Sequence, residues 1–210
     1  MSLLHIHDLC VARGGMAILQ NLCVTLDRGQ AIVLRGPNGI GKTTLLRTIA
    51  GLQPGHGGTI KLPAEGVAYA GHADGLKPSL SVLENLQFWA SVYGGRSIEA
   101  ALDQMNLADL QHRTAQTLSA GQKRRLGLAR LMVTGRALWV MDEPTVSLDT
   151  RSVALFAQIV RQHLAAGGAA VMATHIDLGL PEAHVLDLTD LRARARGGFT
   201  PGDPLAGDYF

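Results

Sequence analysis

Hydrophobic and polar positions divide the chain into a β-rich start, a helical middle and a last third in which both patterns alternate. In the start, short and partly alternating segments predict strands. A compact apolar run at 31–34 leads straight into a glycine loop, and the leucine and isoleucine positions behind that loop predict a helix over 44–52. The predicted strands of this part are residues 5–11, 18–26, 31–34, 59–62 and 67–70.

Helical periodicity dominates the middle of the chain. Ser81 and Glu84 have the spacing of a capping box, and an apolar stripe follows them until Gly94 ends the helix. Two further helices are predicted over 97–105 and 120–133. The stripe consists of Val82, Leu86, Trp89 and Tyr93.

Strands and helices alternate in the last third. Apolar runs predict strands at 137–141, 169–173 and 185–188, and an amphipathic helix is predicted over 153–164. Strands that alternate with helices indicate an α/β fold with a parallel sheet. Residues 189–210 include three arginines and then a stretch rich in Gly and Pro from Gly197 to Gly207, so we expect a poorly ordered tail there.

Composition limits the classes of function. With 210 residues the chain is expected to form one domain, and a net charge of +2 gives no electrostatic case for nucleic acid as a partner. The start lacks the basic and apolar regions of a signal peptide, and no apolar run approaches the roughly 18 residues of a membrane helix. We therefore expect a soluble, intracellular protein unless a partner holds it at a membrane.

The glycine loop has the pattern GxxxxGK[ST] and lies between a predicted strand and a predicted helix, as a phosphate-binding loop requires. Its N–H groups and the helix N-terminus attract phosphate, Lys42 supplies a positive charge, and the Thr43 hydroxyl is placed to bind Mg²⁺. The predicted phosphate-binding residues are Gly36, Pro37, Asn38, Gly39, Ile40, Gly41, Lys42, Thr43 and Thr44.

Two adjacent acids, Asp142 and Glu143, follow a buried strand at the end where parallel sheets place ligands. We predict that Asp142 holds the Mg²⁺ shell and that Glu143 polarises the attacking water. A signature segment at residues 118–122 has small residues at a helix start, which is a second phosphate site. Its predicted binding residues are Ser119, Ala120, Gly121 and Gln122.

In order and spacing these motifs resemble those of ABC-transporter ATPases. Ser147 to Asp149 resembles the D-loop of that family, and Thr174-His175 resembles its switch histidine. The resemblance implies a P-loop domain with a mainly parallel central sheet, an N-terminal antiparallel β part and an inserted helical subdomain. The implied divisions are a core of 1–77 and 134–188, a helical subdomain of 78–133 and the tail 189–210.

The resemblance also implies a head-to-tail pair of ATPase domains. Each ATP then lies between the phosphate loop of one chain and the signature segment of the other. Ser119 and Gly121 would contact the γ phosphate held by the partner. His175 would contact it in the same chain as a catalytic residue, and Asp149 would lie at the nucleotide.

Two features depart from the family pattern. His72 stands where most members have Gln, as a candidate metal or water contact of different chemistry. No aromatic residue is present at 11–15 to stack on adenine, which leaves Arg13 as an alternative.

The segments 71–77 and 80–86 resemble the ATP-binding subunits of the bacterial haem exporter of cytochrome c maturation. That resemblance implies the membrane subunits CcmB and CcmC as partners and a peripheral place on the cytoplasmic face of the inner membrane. It also implies a role in powering haem export or the release of a haem-loaded chaperone. The alternatives are an ABC transporter for another cargo and a soluble ABC protein of translation or repair. We further expect a partner helix to dock between His72 and Phe88.

Overall fold

The computed structural model describes residues 2–95 and 97–193. Eight strands and five α-helices alternate in it, with three short 3₁₀ turns. The strands are β1 Ser2–Arg13, β2 Met16–Asp27, β3 Ala31–Arg35, β4 Thr59–Lys61, β5 Val67–Ala70, β6 Leu138–Asp142, β7 Ala169–Ala173 and β8 Ala183–Asp187. The helices are α1 Lys42–Ile49, α2 Val82–Tyr93, α3 Ile98–Gln104, α4 Ala120–Val133 and α5 Thr150–Ala165.

The strands form two sheets. An antiparallel sheet has the order β2-β1-β4, and a fully parallel sheet has the order β5-β6-β7-β3-β8. All five residues of β6 and all five of β7 are buried, as expected for central strands covered on both faces. This arrangement confirms the predicted α/β class with an antiparallel N-terminal part.

The register of the parallel sheet determines where the loops that follow its strands begin. Ala173 at the end of β7 pairs with Asp142 on β6 and with Leu34 on β3. The segments that leave these three strands therefore start side by side at the carboxyl edge of the sheet. This is the edge at which open α/β sheets bind their ligands.

Helices α2, α3 and α4 pack together beside the sheet. The Ser81 hydroxyl accepts from the Glu84 N–H, and the Glu84 carboxylate accepts from the Ser81 N–H, which confirms the predicted capping box. Gly94 ends α2 in the left-handed conformation, with φ of +73°. The buried face of α2 starts with Val82 and Leu86, whereas Trp89 is only half-buried.

Two apolar cores lie on the two faces of the parallel sheet. One joins the sheet to α2–α5 around Phe156, and the other fills the space between the antiparallel sheet, α1 and the parallel sheet. The second core includes Leu19 of β2 and Leu45 of α1, so the helix that follows the phosphate loop packs on this core.

Sequence and structure agree residue for residue on β5, α4 and β7, and the ends of the other elements differ by a few residues. The helix predicted over 44–52 starts at Lys42 and ends at Ile49, because the glycine loop turns directly into it. The predicted tail, 189–210, begins instead with a 3₁₀ turn at Thr189–Leu191, and the Ala193 N–H donates to the Ile18 carbonyl. Its remaining residues, from 194 on, lie outside the described part. Within residues 2–95 and 97–193, no helix combines the length and apolarity needed to cross a membrane.

Candidate nucleotide site

The phosphate loop connects β3 to α1. Gly41 has φ of +115°, and a Cβ atom at this position would lie 2.8 Å from Ile18 Cδ1. The backbone angle favours glycine here, and a larger residue would also have to displace the end of the Ile18 side chain. Ile18 of the antiparallel sheet therefore lies against the phosphate loop just before α1 begins.

Lys42 is 9% exposed, and its ammonium group donates to carbonyls of the loop itself. Its Nζ atom lies 2.7 Å from the Gly36 oxygen and 3.3 Å from the Pro37 oxygen. α1 has no side-chain cap, so the first N–H groups of the helix remain available to an anion. The structure thus brings a cation and a helix N-terminus to one loop, which is an arrangement suited to phosphate.

Asp142 ends β6 and is 1% exposed. Its Oδ2 atom accepts no hydrogen bond, although His72 Nε2 lies 3.2 Å away. A buried carboxylate oxygen without a hydrogen bond is costly unless a cation neutralises it. One carboxylate and a loop hydroxyl such as that of Thr43 are ligands that Mg²⁺ takes together with phosphate oxygens, so the residues fit a nucleotide-bound Mg²⁺.

Glu143 follows directly in the left-handed conformation, with φ of +48°. Its N–H donates to the Ala173 carbonyl over 2.8 Å, which ties the residue to β7. The side chain is 17% exposed, and its Oε1 atom lies 3.4 Å from Nε2 of His175, which is 59% exposed. The acid and the histidine therefore meet at the edge of the sheet and face solvent together.

Two threonines join the segments that carry Glu143 and His175. The Thr145 and Thr174 hydroxyls are 3.1 Å apart and buried, and the Thr174 hydroxyl also accepts from the Ile176 N–H. Arg35, at the end of β3, donates to the Thr174 carbonyl. These contacts join the segments that follow β3, β6 and β7.

Tyr69 lies near the end of β5, close to Asp142. Burial is the main cause that raises the pKa of its phenol, and the negative charge of Asp142 raises it further, while Arg47 opposes both. Tyr69 therefore stays neutral beside Asp142 and adds no second negative charge to the proposed metal position.

The signature segment forms the N-terminus of α4. Ser119 and Gln122 make a second capping box, with the Ser119 hydroxyl accepting from the Gln122 N–H and the Gln122 side chain accepting from the Ser119 N–H. Ser119 and Ala120 are exposed. Among the described residues, no hydrogen bond or ion pair joins this segment to the phosphate loop, so one chain does not bring the two together.

The D-loop candidate lies close to the signature. A Cβ atom on Gly121 would lie 3.0 Å from the Ser147 carbonyl oxygen. Asp149 caps α5, and its Oδ1 accepts from the Ser152 N–H over 2.7 Å, which lowers the pKa of its carboxyl. Asp149 thus has a structural role besides any contact with nucleotide.

Sequence reasoning did not identify Arg35, Arg124 and Thr145 as residues that build the site, and it named Thr174 only beside the switch histidine. Arg124 was visible only as one of two adjacent arginines at the start of a helix that becomes apolar later. Thr145 carries no pattern of its own, and its pairing with Thr174 joins two loops that are 29 positions apart.

The loop after β3, the acids after β6 and the histidine after β7 are the parts of a P-loop nucleotide hydrolase. The chain belongs to the ABC transporter family, whose model matches residues 19–146, more than half of its length. It is an ATP-binding subunit of this family, which hydrolyses ATP.

Relatives of high identity cover nearly the whole chain. The cytochrome c biogenesis ATP-binding export protein CcmA of Rhodobacter capsulatus is 64% identical over 208 residues, which cover 96% of this chain and 97% of the relative. The protein of the same name from Paracoccus denitrificans is 65% identical over 193 residues, 92% of each chain. These matches confirm the resemblance that the motifs indicated.

Solved structures agree on the fold. An ABC transporter ATP-binding protein from Pyrococcus furiosus superposes with a TM-score of 0.81 at 26% identity, over 90% of this chain and 99% of that chain. The ATP-binding subunit of another ABC transporter gives a TM-score of 0.77 at 24% identity, over 83% of this chain and 80% of its own.

Proposed function

We propose that the chain binds MgATP at the phosphate loop and hydrolyses it with Glu143 as general base. The observation that carries this proposal is the register at Ala173, which sets the segments after β3, β6 and β7 at one level. Glu143 accepts the proton of the water that attacks the γ phosphate, and His175, 3.4 Å from the acid, orients that carboxylate and the phosphate. Lys42 and the loop N–H groups hold the β and γ phosphates.

Mg²⁺ is proposed as the metal, held by the Thr43 hydroxyl and the Asp142 carboxylate. When bound, it neutralises phosphate charge. Asp142 Oδ2, buried and without a hydrogen bond, supports this assignment. His72 Nε2 lies 3.2 Å from that oxygen, so we propose that it contacts the metal or a water bound to the metal.

A second copy of the chain is proposed to complete the site. Ser119 and Ala120 are exposed, and so are the apolar Val146 and Ile176, which flank the acid pair and His175. A head-to-tail partner would cover these side chains and bring its signature residues to the γ phosphate.

Size-exclusion chromatography with MgATP tests the pairing. Glu143→Gln is expected to elute as a dimer, because ATP persists between the chains. Glu143→Gln combined with Ala120→Asp is expected to bind ATP as a monomer, because an acid at the signature helix start repels phosphate. A dimer of the double variant would contradict the proposed head-to-tail geometry.

The cargo follows from the relatives. We propose that the chain is the ATPase of the export system of cytochrome c biogenesis and that it powers haem export or the release of a haem-loaded chaperone. Its proposed partners are the membrane subunits CcmB and CcmC, and its proposed place is the cytoplasmic face of the bacterial inner membrane, as a peripheral subunit. The names and identities of the relatives support this proposal.

A complementation experiment tests the cargo. In a strain that lacks the gene, the wild-type chain is expected to restore c-type cytochromes on haem-stained gels, and Glu143→Gln is not. Normal cytochromes c in the deletion strain would overturn the assignment without touching the ATPase proposal.

The docking surface is proposed to be the cleft where the core (1–77 and 134–188) meets the helical subdomain (78–133). Its volume is about 470 Å³, and its lining includes His72, Trp89 and Tyr93. Phe88 does not line it, because its ring turns to Lys77, whose Nζ lies 3.9 Å from the ring centroid. The site expected between His72 and Phe88 is therefore revised to the side of α2 that carries Trp89.

Two exposed apolar residues make a matched test of this surface. Leu52 lines the cleft and is 61% exposed, whereas Val185 lies on β8, outside the cleft lining, and is 67% exposed. Leu52→Asp is expected to release the protein from membranes that contain its partners, and Val185→Asp to leave it bound, with ATP binding intact in both. Membrane fractionation decides between them, and retention of Leu52→Asp would refute the cleft.

A further inference from the structure

The guanidinium of Arg124 lies at the junction of the signature helix, the acid pair and the segment that carries His72. Arg124 is in the second turn of α4 and is 5% exposed. All three of its nitrogens donate to the protein, so it is a buried cation whose hydrogen bonds are satisfied. The acceptors are Pro144 O at 3.0 Å, Gly71 O at 2.9 Å, Asp74 Oδ1 at 3.0 Å, Asp142 O at 3.2 Å and Glu143 O at 2.6 Å.

Three of these acceptors are the successive carbonyls of residues 142–144. They include the backbone of Glu143, the residue with φ of +48°. A non-glycine residue keeps such an angle only where its surroundings restrain it from several sides. Glu143 has two such backbone restraints, since its N–H donates to Ala173 and its carbonyl accepts from Arg124. The direction of the Glu143 carboxylate therefore depends on Arg124.

The other two acceptors belong to the segment that carries His72. The Gly71 carbonyl and the Asp74 carboxylate hold this segment against α4, and the Asp74 pair is half-buried, with side-chain exposures of 6% and 25%. One turn further along α4, a Cβ atom on Gly127 would lie 2.9 Å from Asp74 Cβ. The His72 segment is thus packed on the signature helix at two successive turns.

We propose that Arg124 is a positioning residue for hydrolysis, which fixes the Glu143 carboxylate and links it to the signature helix and to His72. A shift of α4 changes the position of Arg124, and with it the backbone of the proposed general base. The inference rests on the proposed role of Glu143 as general base. It adds Arg124, which lies outside the phosphate loop and the acid pair, to the residues that position the catalytic groups.

Arg124→Lys tests the proposal, because lysine keeps the charge but cannot span five acceptors with one ammonium group. The expected result is a fall in kcat of roughly ten- to a hundredfold, the size that a displacement of about 1 Å can cause. The dissociation constant for ATP, measured with a fluorescent nucleotide, is expected to stay within about twofold, since the phosphate loop is unchanged.

A double-mutant cycle separates positioning from general structural support. In the Glu143→Gln background, single-turnover hydrolysis is expected to show no further loss on adding Arg124→Lys, because the carboxylate that Arg124 positions is already absent. Full additivity, or equal losses in ATP affinity and kcat, would overturn the proposal. Normal turnover by Glu143→Gln alone would instead refute the proposed base, so the two failures are distinguishable.

Arg125 is the matched control, because it is the next residue on α4 and donates to the Met105 and Asn106 carbonyls within the helical part. Arg125→Lys is expected to leave kcat unchanged within about twofold, because Arg125 donates to no carbonyl of the acid pair or of the His72 segment. If Arg124→Lys fails to fold, Asp74→Asn neutralises the ionic partner of Arg124 while keeping the side-chain shape. A severalfold loss in kcat that vanishes in the Glu143→Gln background is then expected. Unchanged kcat in Asp74→Asn and Arg124→Lys would sink the inference.

Discussion

Replacing Glu143 by Gln removes the proposed proton acceptor and little else. The two side chains have the same shape, and the backbone contacts of Glu143 with Ala173 and Arg124 do not involve the carboxylate. Within residues 2–95 and 97–193, the side-chain contact that changes is the 3.4 Å approach to His175. A positioned general base contributes roughly 10²–10⁴ in rate, which is about 3–5 kcal/mol of activation free energy. We therefore expect at least a hundredfold lower kcat with ATP affinity preserved.

Steady-state phosphate release measures this loss, and nucleotide titration measures the affinity. Glu99→Gln, an exposed change on α3, is the control and is expected to keep full activity. Turnover by Glu143→Gln within about tenfold of the wild type, below the range for a general base, would refute the reasoning. His175, whose ring lies beside the acid, would then be the next candidate and would be tested as His175→Ala.

Three further predictions concern binding and stability. Lys42→Ala is expected to abolish detectable ATPase activity and to weaken nucleotide binding in a folded protein, as shown by phosphate release and titration; normal hydrolysis would contradict its role. Ser81→Ala removes the cap of α2 and is expected to lower the free energy of unfolding by about 1 kcal/mol, measured by urea denaturation. Hydrogen bonds from Ser81 lower the pKa of Glu84, so its stabilising effect is present above the unfolded pKa near 4.5 and is lost as pH falls through the lower folded pKa. Glu84→Gln, which keeps a capping box, is expected to lose less stability than the wild type between pH 5 and pH 3, an approximate window below the usual carboxyl pKa; equal losses would contradict this.

Local patterns predicted the secondary structure around the candidate site well, because each part is a strand end or a helix start with a short motif. The strand before Gly36, the acids after β6 and the caps at Ser81 and Ser119 all depend on residues within a few positions of each other. The order of strands in the sheet did not follow from such patterns. Pairing of β3 with both β7 and β8 joins residues more than 130 positions apart, and only the packed structure shows it.

Contacts between side chains and distant carbonyls were beyond the sequence for the same reason. Arg124 donates to a loop 53 positions earlier and to carbonyls about 20 positions later. The helix periodicity that placed Arg124 on α4 says nothing about which carbonyls face it. The position of the C-terminal segment at Ile18 is likewise a tertiary contact in a stretch whose composition predicted disorder.

The burial of β7 fixes its register, and this explains how residues with a positive φ can be held at the candidate site. A slip of one residue would move His175 by about 3.3 Å and turn every side chain of β7 to the other face. Side chains of β7 alternate between the two apolar cores, with Met172 in one and Val171 in the other, so that slip would exchange them and mismatch the packing of both cores. The sheet is therefore rigid where the loops leave it, and it can hold Gly41 and Glu143 at positive φ.

The signature segment has no such anchor in the sheet: its position relative to Glu143 depends on α4 and on the hydrogen bonds of Arg124. A nucleotide enclosed between two chains needs a rigid phosphate loop on one chain and a signature segment that can move on the other. When the two chains close on the nucleotide, the signature segment can then move without deforming the phosphate loop.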